Sequence, residues 1–540
     1  MKFPSAGLLR SPALAPLQGR VYRGLWFAWL TANLTMWMHD VSAAWLMTQL
    51  TDSTVMVALV QTASTLPVFL LGIASGAMAD IVDRRRYFAG TQLWVCATAV
   101  LLALLAIAGQ LNAPLLLLLT FVNGIGLAMR WPVFSAIVPD VVDRNELPAA
   151  LALGGISMNL SRVIGPVIAG ALLAAAGPAL VFSLNAVMAA LAFWLIWRWQ
   201  SEPRTSALPG ERFVGAMRVG LQHVRQSPRM RIVILRVFLF FLQTSALIAL
   251  LPLVARHMEH GGAAMYTALM ASLGGGAIVA ALQFPRLRER FGRDQFVRWG
   301  TTLHALLSTI VATVPVPWIA LPAMALAGAA WISTANTLVM SAQYALPNWV
   351  RARGMSIYQM ALMGGTAIGA ALWGQVASLT SVPTAVTAAA ASGVLMLALT
   401  RRGSVGWAED EDLSPQPARA PAGVAIQIAP DEGPVMVVVE YLVDPAQAQA
   451  FARVMQATRR ARLRQGALSW GLFRDTAVPG RYVESFVDEN WVEHLRRQER
   501  FTAADEGLRA QRLALHRGDA PPRVQRYVGA TLAVGPDGPP

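Results

Sequence analysis

"LWFAWLTANLTMWMHDVSAAWLMTQL", residues 25–50, is apolar enough to cross a membrane, yet it holds Asn33, His39 and Asp40 in its middle. A soluble core helix, a membrane anchor and a wall of a transport path would each explain part of that mixture. The rest of the chain decides between them. Of 540 residues, 55% are hydrophobic and only 14% charged, against about 25% charged in ordinary soluble domains. Segments long enough to span roughly 30 Å of hydrocarbon lie near 22–50, 54–79, 87–109, 113–138, 148–176 and 179–199. After a polar, basic break from Gln200 to Arg229, others lie near 231–255, 263–284, 296–314, 317–342, 353–376 and 382–400. The pattern predicts an all-α polytopic membrane protein of twelve transmembrane helices in two six-helix halves, 1–200 and 230–402, joined by a cytoplasmic central loop at 201–229.

The net charge of +14 does not point to nucleic acid, because the arginines fall between apolar segments instead of clustering on one soluble face. With the N-terminus inside, the inner loops hold Arg84, Arg85 and Arg86; Arg144; Arg204, Arg212, Arg218, Arg225 and Arg229; Arg286, Arg288, Arg290 and Arg293; and Arg351 and Arg353. The outer loops hold little beyond Arg256. By the positive-inside rule, both termini are expected in the cytoplasm. The first apolar segment is about 25 residues long with no small-residue cleavage site behind it, so it reads as the first span and not as a signal peptide. The single cysteine, Cys96, excludes a disulfide framework and a thiol metal site, and neither a metal nor another cofactor is expected.

The halves echo each other. "GAMADIVDRRR" (76–86) pairs with "PRLRERFGR" (285–293), and "GPVIAG" (165–170) with "GAALWG" (369–374). Two parallel six-helix repeats around a cavity are a transporter architecture. Beyond Arg402 the composition changes: 403–434 is rich in Pro, Ala and acid and reads as a linker. Strands at 435–443, 467–475, 481–489 and 523–529 alternate with helices at 445–465 and 491–516, the second interrupted near Phe501. Strand-helix-strand-strand-helix-strand predicts a small α+β, ferredoxin-like cytoplasmic domain at 435–530.

These residues resemble the major facilitator superfamily (MFS). Gly76, Asp80, Arg84, Arg85 and Arg86 match its signature between the second and third helices, with Asp83 where many members have a second glycine. The stretch 37–72 resembles the enterobactin exporter-like branch, and within it the transmembrane secretion effector subgroup. That subgroup carries an appended C-terminal domain, whose end "WVEHLRRQERFTAAD" (491–505) resembles. Gly165, Pro166 and Gly170 match part of the family's antiporter motif, while Ser161 and Ala152 stand where it prefers glycine. The C-terminal domain resembles the antibiotic-biosynthesis-monooxygenase-like group, which implies Trp491 and His494 as candidates for binding or chemistry and self-association through a strand edge. A packing Trp and a surface His in a degenerate module is the competing reading.

In the signature loop, Asp80 can pair with the arginines and Gly76 lets two helices approach, forming a gate; alternatively the arginines only fix topology. An ionisable group at mid-membrane is costly, so Asp40 should face a partner or a wet cavity. Asn33, Met36, Trp37 and Asp40 share one helical face, and His39 points about 100° away. Asp40 is either a proton-coupling carboxylate or the partner of Arg130 or Arg162. Arg130 either lines the cavity or snorkels towards the cytoplasm; Arg162, on one face with Asn159 and Pro166, is expected to line the cavity. The glycine runs "LGGGAI" (273–278) and "MGGTAIG" (363–369) signal close helix packing, since neither follows a strand or carries a P-loop lysine. The expected function is proton-coupled export of a siderophore-like or drug-like solute across a bacterial inner membrane. The alternative is an importer or exporter feeding a monooxygenase-like or ligand-binding C-terminal domain.

Overall fold

The computed structural model describes residues 12–143, 145–199, 213–259, 261–288, 290–406, 412–416 and 426–530. The chain divides into two compact units. The first takes in the described residues within Met1–Leu208, Ile234–Met340 and Ser356–Ser404; the second, those within Pro209–Val233, Ser341–Met355 and Val405–Pro540.

Long helices build the first unit: α1 (Arg20–Leu50), α2 (Thr54–Ile81), α3 (Arg84–Ile107), α4 (Ala113–Val141) and α5 (Leu147–Trp197). After α6 (Phe213–Gln226), which belongs to the second unit, come α7 (Pro228–Arg256), α8 (Ala263–Arg288), α9 (Arg293–Thr313), α10 (Pro317–Tyr344), α11 (Arg351–Leu379) and α12 (Val382–Leu399). Nine stretches among the described residues are long and apolar enough to cross a membrane; α1 and α9 are not among them, and Ala149–Trp197 counts once although it is 49 residues long. That stretch is broken at Gly177, whose φ of 75° and ψ of −176° interrupt the helix at a position where only glycine is unstrained. Short polar caps start the helices. Ser53, Asp83, Asn112 and Ser381 each accept a bond from a first-turn amide of α2, α3, α4 and α12, satisfying donors that helix geometry orphans.

Glycines set the helix contacts where backbones meet. A Cβ at Gly170 of α5 would lie 1.8 Å from Thr267 Oγ1 of α8, and one at Gly276 of α8 would lie 1.8 Å from the Ala325 carbonyl oxygen of α10. In the second glycine run, a Cβ at Gly364 of α11 would sit 2.8 Å from the Phe69 ring of α2. Nearby, Thr62 Oγ1 donates to the Ala367 carbonyl at 2.9 Å. Both runs therefore serve close packing between helices, as small residues do in bilayers.

The second unit holds α6, the connection Ser341–Met355 and the C-terminal elements. These are β1 (Val435–Leu442), α13 (Ala448–Arg464), β2 (Ser469–Arg474), β3 (Arg481–Asp488), α14 (Trp491–Glu499), α15 (Ala503–Ala514) and β4 (Arg523–Val528). The sheet is antiparallel in the order β2-β3-β1-β4, the split-βαβ arrangement. Val437, Val439, Tyr441, Phe451, Met455 and Phe486 form its core. The expected second helix is two, divided by Thr502, which caps α15 in a reciprocal box with Asp505.

Two connecting segments carry more structure than the sequence pattern names. The central segment is not only a loop: α6 lies along α13, with Gln222 Nε2 donating to the Ala467 carbonyl at 2.7 Å and Arg218 paired with Glu489. The linker, where described, is bonded as well. Its carbonyls at Pro430 and Glu432 accept from the amides of Val492 and Trp491, and those at Asp412 and Ser414 accept from Ala504 and Ala503. The open N-termini of α14 and α15 thus draw the described linker segments onto the C-terminal elements.

Candidate functional site

Helix α1 carries its polar residues in three successive levels of one face, and each level meets a different partner. At the first, Arg130 of α4 is fully buried. Its Nη1 donates to the Ala32 carbonyl at 2.6 Å, its Nη2 to Asn33 Oδ1 at 3.2 Å, and its guanidinium lies 5.1 Å from the Trp29 ring. Met36 Sδ is 3.9 Å from the same Nη2. Arg130 therefore does not snorkel; it is bonded inward to α1. Trp29 itself stacks on Phe134 at 3.9 Å and meets Trp131 edge-on.

The second level joins Trp37 and Arg162. The Arg162 guanidinium sits 5.5 Å from the Trp37 ring and 4.7 Å from the ring of Trp331, a residue of α10. Its Nε and Nη1 are buried without a hydrogen-bond partner among the described residues. Gly165 makes this level possible: a Cβ there would lie 2.6 Å from Trp37 Cβ, so any larger residue would push α5 off α1. The antiporter-like residues Gly165 and Gly170 thus act as contact points of α5 with α1 and α8, and Pro166 is buried beside them.

At the third level, Ser64 Oγ of α2 donates to Asp40 Oδ1 at 2.7 Å. Among the described residues no cation lies within 4.0 Å of Asp40, so the ion pair with Arg130 or Arg162 is not formed in this state. His39 points elsewhere, towards the Phe182 ring at 5.9 Å. Asn159 turns back onto its own helix, donating to the Gly155 carbonyl at 3.0 Å, and joins none of the three levels.

Of the signature residues, the side chains of Gly76 and Asp80 lie outside the described residues. Asp83 is the N-cap of α3 and accepts from the Arg86 amide at 2.8 Å, which explains a carboxylate where glycine is commoner. Arg85 donates to the Trp197 carbonyl at the end of α5 and lies 5.2 Å from that ring, a cation at a helix C-terminus. Arg84 and Arg86 open α3 beside it.

In the second unit, Trp491 stacks on His494 at 5.2 Å. His494 is buried, not at the surface: its Nδ1 lies 2.8 Å from Asp488 Oδ2, and Arg497 Nε reaches both Asp488 oxygens at 3.0 Å. Burial pushes the Asp488 carboxyl up, but the Arg497 charge and the His494 hydrogen bond outweigh it and hold the group below its ordinary value. Glu484 follows the same logic, with Arg462 Nε, Trp470 Nε1 and Tyr441 Oη each donating at 3.0 Å. These side chains are partnered within the fold.

Ser64 and Trp331 were not singled out in the sequence. Neither carries a local signal: one is a serine in an apolar span, the other one of 17 tryptophans. Among the described residues no cluster of His, Cys, Asp and Glu could hold a metal ion.

Comparison with known proteins places this geometry. A family model described as transmembrane secretion effector matches residues 11–532. The staphyloferrin A transporter of Staphylococcus aureus is 22% identical over 327 residues, 60% of this chain and 81% of that protein. Macrolide efflux protein A of Streptococcus pyogenes is 22% identical over 165 residues, 31% of this chain and 39% of that protein. Among solved structures, the nucleoside transporter NupG superposes with a TM-score of 0.56 at 12% identity, covering 71% of this chain and 98% of its own. An auto-inhibited POT family peptide transporter gives 0.57 at 12% identity, covering 71% and 97%. At such identities the structural likeness shows the fold alone. With the helical architecture and the family match over most of its length, the chain belongs to the transmembrane secretion effector family and is a multi-pass membrane transporter of the major facilitator type.

Proposed function

We propose that the protein is a proton-coupled exporter of a small organic solute, working by alternating access across a bacterial inner membrane with both termini in the cytoplasm. Twelve spans follow if the 49-residue stretch is divided at Gly177 and the more polar α1 and α9 are added to the apolar helices. The observation that carries the proton role is Asp40: a carboxylate within a spanning helix, bonded to the neutral Ser64 hydroxyl and to no cation among the described residues. A carboxylate with a permanent counterion would stay ionised, whereas one held by a hydroxyl can take up and release a proton as access changes. The siderophore and macrolide transporters among its relatives support export of a siderophore-like or drug-like metabolite.

Direction and solute are tested together. Spent medium of a deletion strain and its parent is compared for missing metabolites, and everted vesicles are then assayed with the missing compound. Export predicts inward accumulation in everted vesicles that collapses with the proton gradient; accumulation only in right-side-out vesicles would make the protein an importer. The partnered positions of Trp491, His494, Glu484 and Asp488 favour a structural role for the C-terminal domain over a monooxygenase-like one.

A further inference from the structure

Two arginines of the first half's helices, Arg130 of α4 and Arg162 of α5, are not equivalent. Arg130 donates through Nη1 and Nη2 to a carbonyl and an amide oxygen of α1, with Nε alone unpaired among the described residues, and is sealed from solvent. Arg162 lies against the indoles of Trp37 and Trp331, at 5.5 and 4.7 Å from their ring centres, while its Nε and Nη1 have no acceptor among the described residues. Guanidinium is always charged and donates only in its own plane. Two indoles can therefore hold the charge, through cation–π attraction worth about 0.5–2 kcal/mol each, without accepting its N–H hydrogen bonds. Among the described residues, Arg162 makes no ion pair with any carboxylate: Asp40 is engaged by Ser64. A permanent cation in a spanning helix with no counterion is costly, so an anion gains most where such a guanidinium stands.

Resting on the transporter reading above, we propose that Arg162 binds a carboxylate of the transported solute, so that the cargo is an organic acid. A carboxylate reaching the guanidinium would accept charge-assisted N–H···O bonds and form an ion pair beside the two indoles. Trp37 and Arg162 come from the first half of the chain and Trp331 from the second, so the bound acid would be gripped by both halves. This makes Trp331 a specificity residue: it favours a carboxylate joined to a flat or apolar body over a small hydrated anion.

The test uses the full-length protein in lipid nanodiscs, without a proton gradient, titrated with indole-3-acetate and its neutral isostere indole-3-acetamide. The acid should bind at least about tenfold more tightly than the amide, the worth of charge-assisted hydrogen bonds. Arg162→Gln should bring the acid down to the level of the amide. Arg162→Lys should recover only part of the preference, because an ammonium lacks the planar fork. Trp331→Leu, which leaves the charge in place, should also reduce it and serves if the glutamine variant does not fold. Asp40→Asn should keep the acid preference, so failure of proton coupling is distinguishable from failure of this proposal. Equal binding of acid and amide, binding of neither, or a preference that survives Arg162→Gln would overturn it.

Discussion

Asp488 and Glu484 sit in the interior of the C-terminal domain, Asp488 with Arg497 on both oxygens and Glu484 with Arg462 on Oε1 and the Tyr441 hydroxyl on Oε2. Removing one partner of such a buried pair costs about 3–5 kcal/mol, because the other charge is left uncompensated. Glu484→Gln should therefore unfold β3 and α13 more readily, seen as lost hydrogen-exchange protection over 448–488 in the full-length protein. Histidines in the second unit give it a pH dependence whose sign follows from linkage. Burial, then the Arg464 charge, push His223 down to about 4, and burial holds His494 below its ordinary value. A histidine whose folded pKa lies below about 6.5 must charge on unfolding. Its stabilisation is thus complete above about pH 6.5 and declines as pH falls towards 4. The two carboxylates, held low, add a further loss below about pH 4. Protection of the second unit, corrected for intrinsic exchange, should fall between pH 7 and 5, and His223→Gln should flatten that fall. A pH-independent profile would contradict the charge assignments. His494 shows what the sequence concealed at this scale. Its spacing from Trp491 was legible, but its burial depends on Asp488 and Arg497, which only the packing of α14 against β3 brings together.

Among the elements, α5 bears the sharpest steric constraint. Gly170 leaves no room for a side chain against Thr267, so Gly170→Leu should force α5 from α8 and abolish solute flux. Gly155→Leu, at an open position on the same helix, should leave flux near wild type. Arg256, the basic residue the topology rule did not explain, donates to the Thr48 carbonyl at 2.9 Å and pairs with Asp52 at 3.3 Å. It links the C-terminal ends of α7 and α1. Arg256→Gln should weaken that link and raise cysteine accessibility at position 48, read by maleimide labelling of a Thr48→Cys variant. Helix α6 was hidden in the sequence because its apolar positions Val219, Leu221 and Val224 are interleaved with arginines. Beside long apolar spans such a stretch reads as loop. The docking of the linker was illegible for a different reason: its bonds come from backbone carbonyls to helix N-termini, and carbonyls have no signature.

For the whole molecule, hydropathy and arginine placement made the helical transporter class readable, since a bilayer tolerates only long apolar segments with satisfied backbones. The alternation of strands and helices after Pro434 likewise fixed the order of the small sheet. Function was less legible, because the three levels of α1 depend on where α2, α4, α5 and α10 lie against it. Asp40, Arg130 and Arg162 were visible as costly residues; that each has a separate, non-carboxylate or non-cationic partner was not. Under the proposed scheme their roles differ: Arg130 fastens α4 to α1, Arg162 receives the solute and Asp40 carries the proton. The most direct measurement of that scheme is solute-dependent proton movement in proteoliposomes loaded with a pH-sensitive dye. Wild type should move protons opposite to the exported solute, and Asp40→Asn should insert and bind solute normally but move none. Proton movement undiminished in Asp40→Asn would contradict the account.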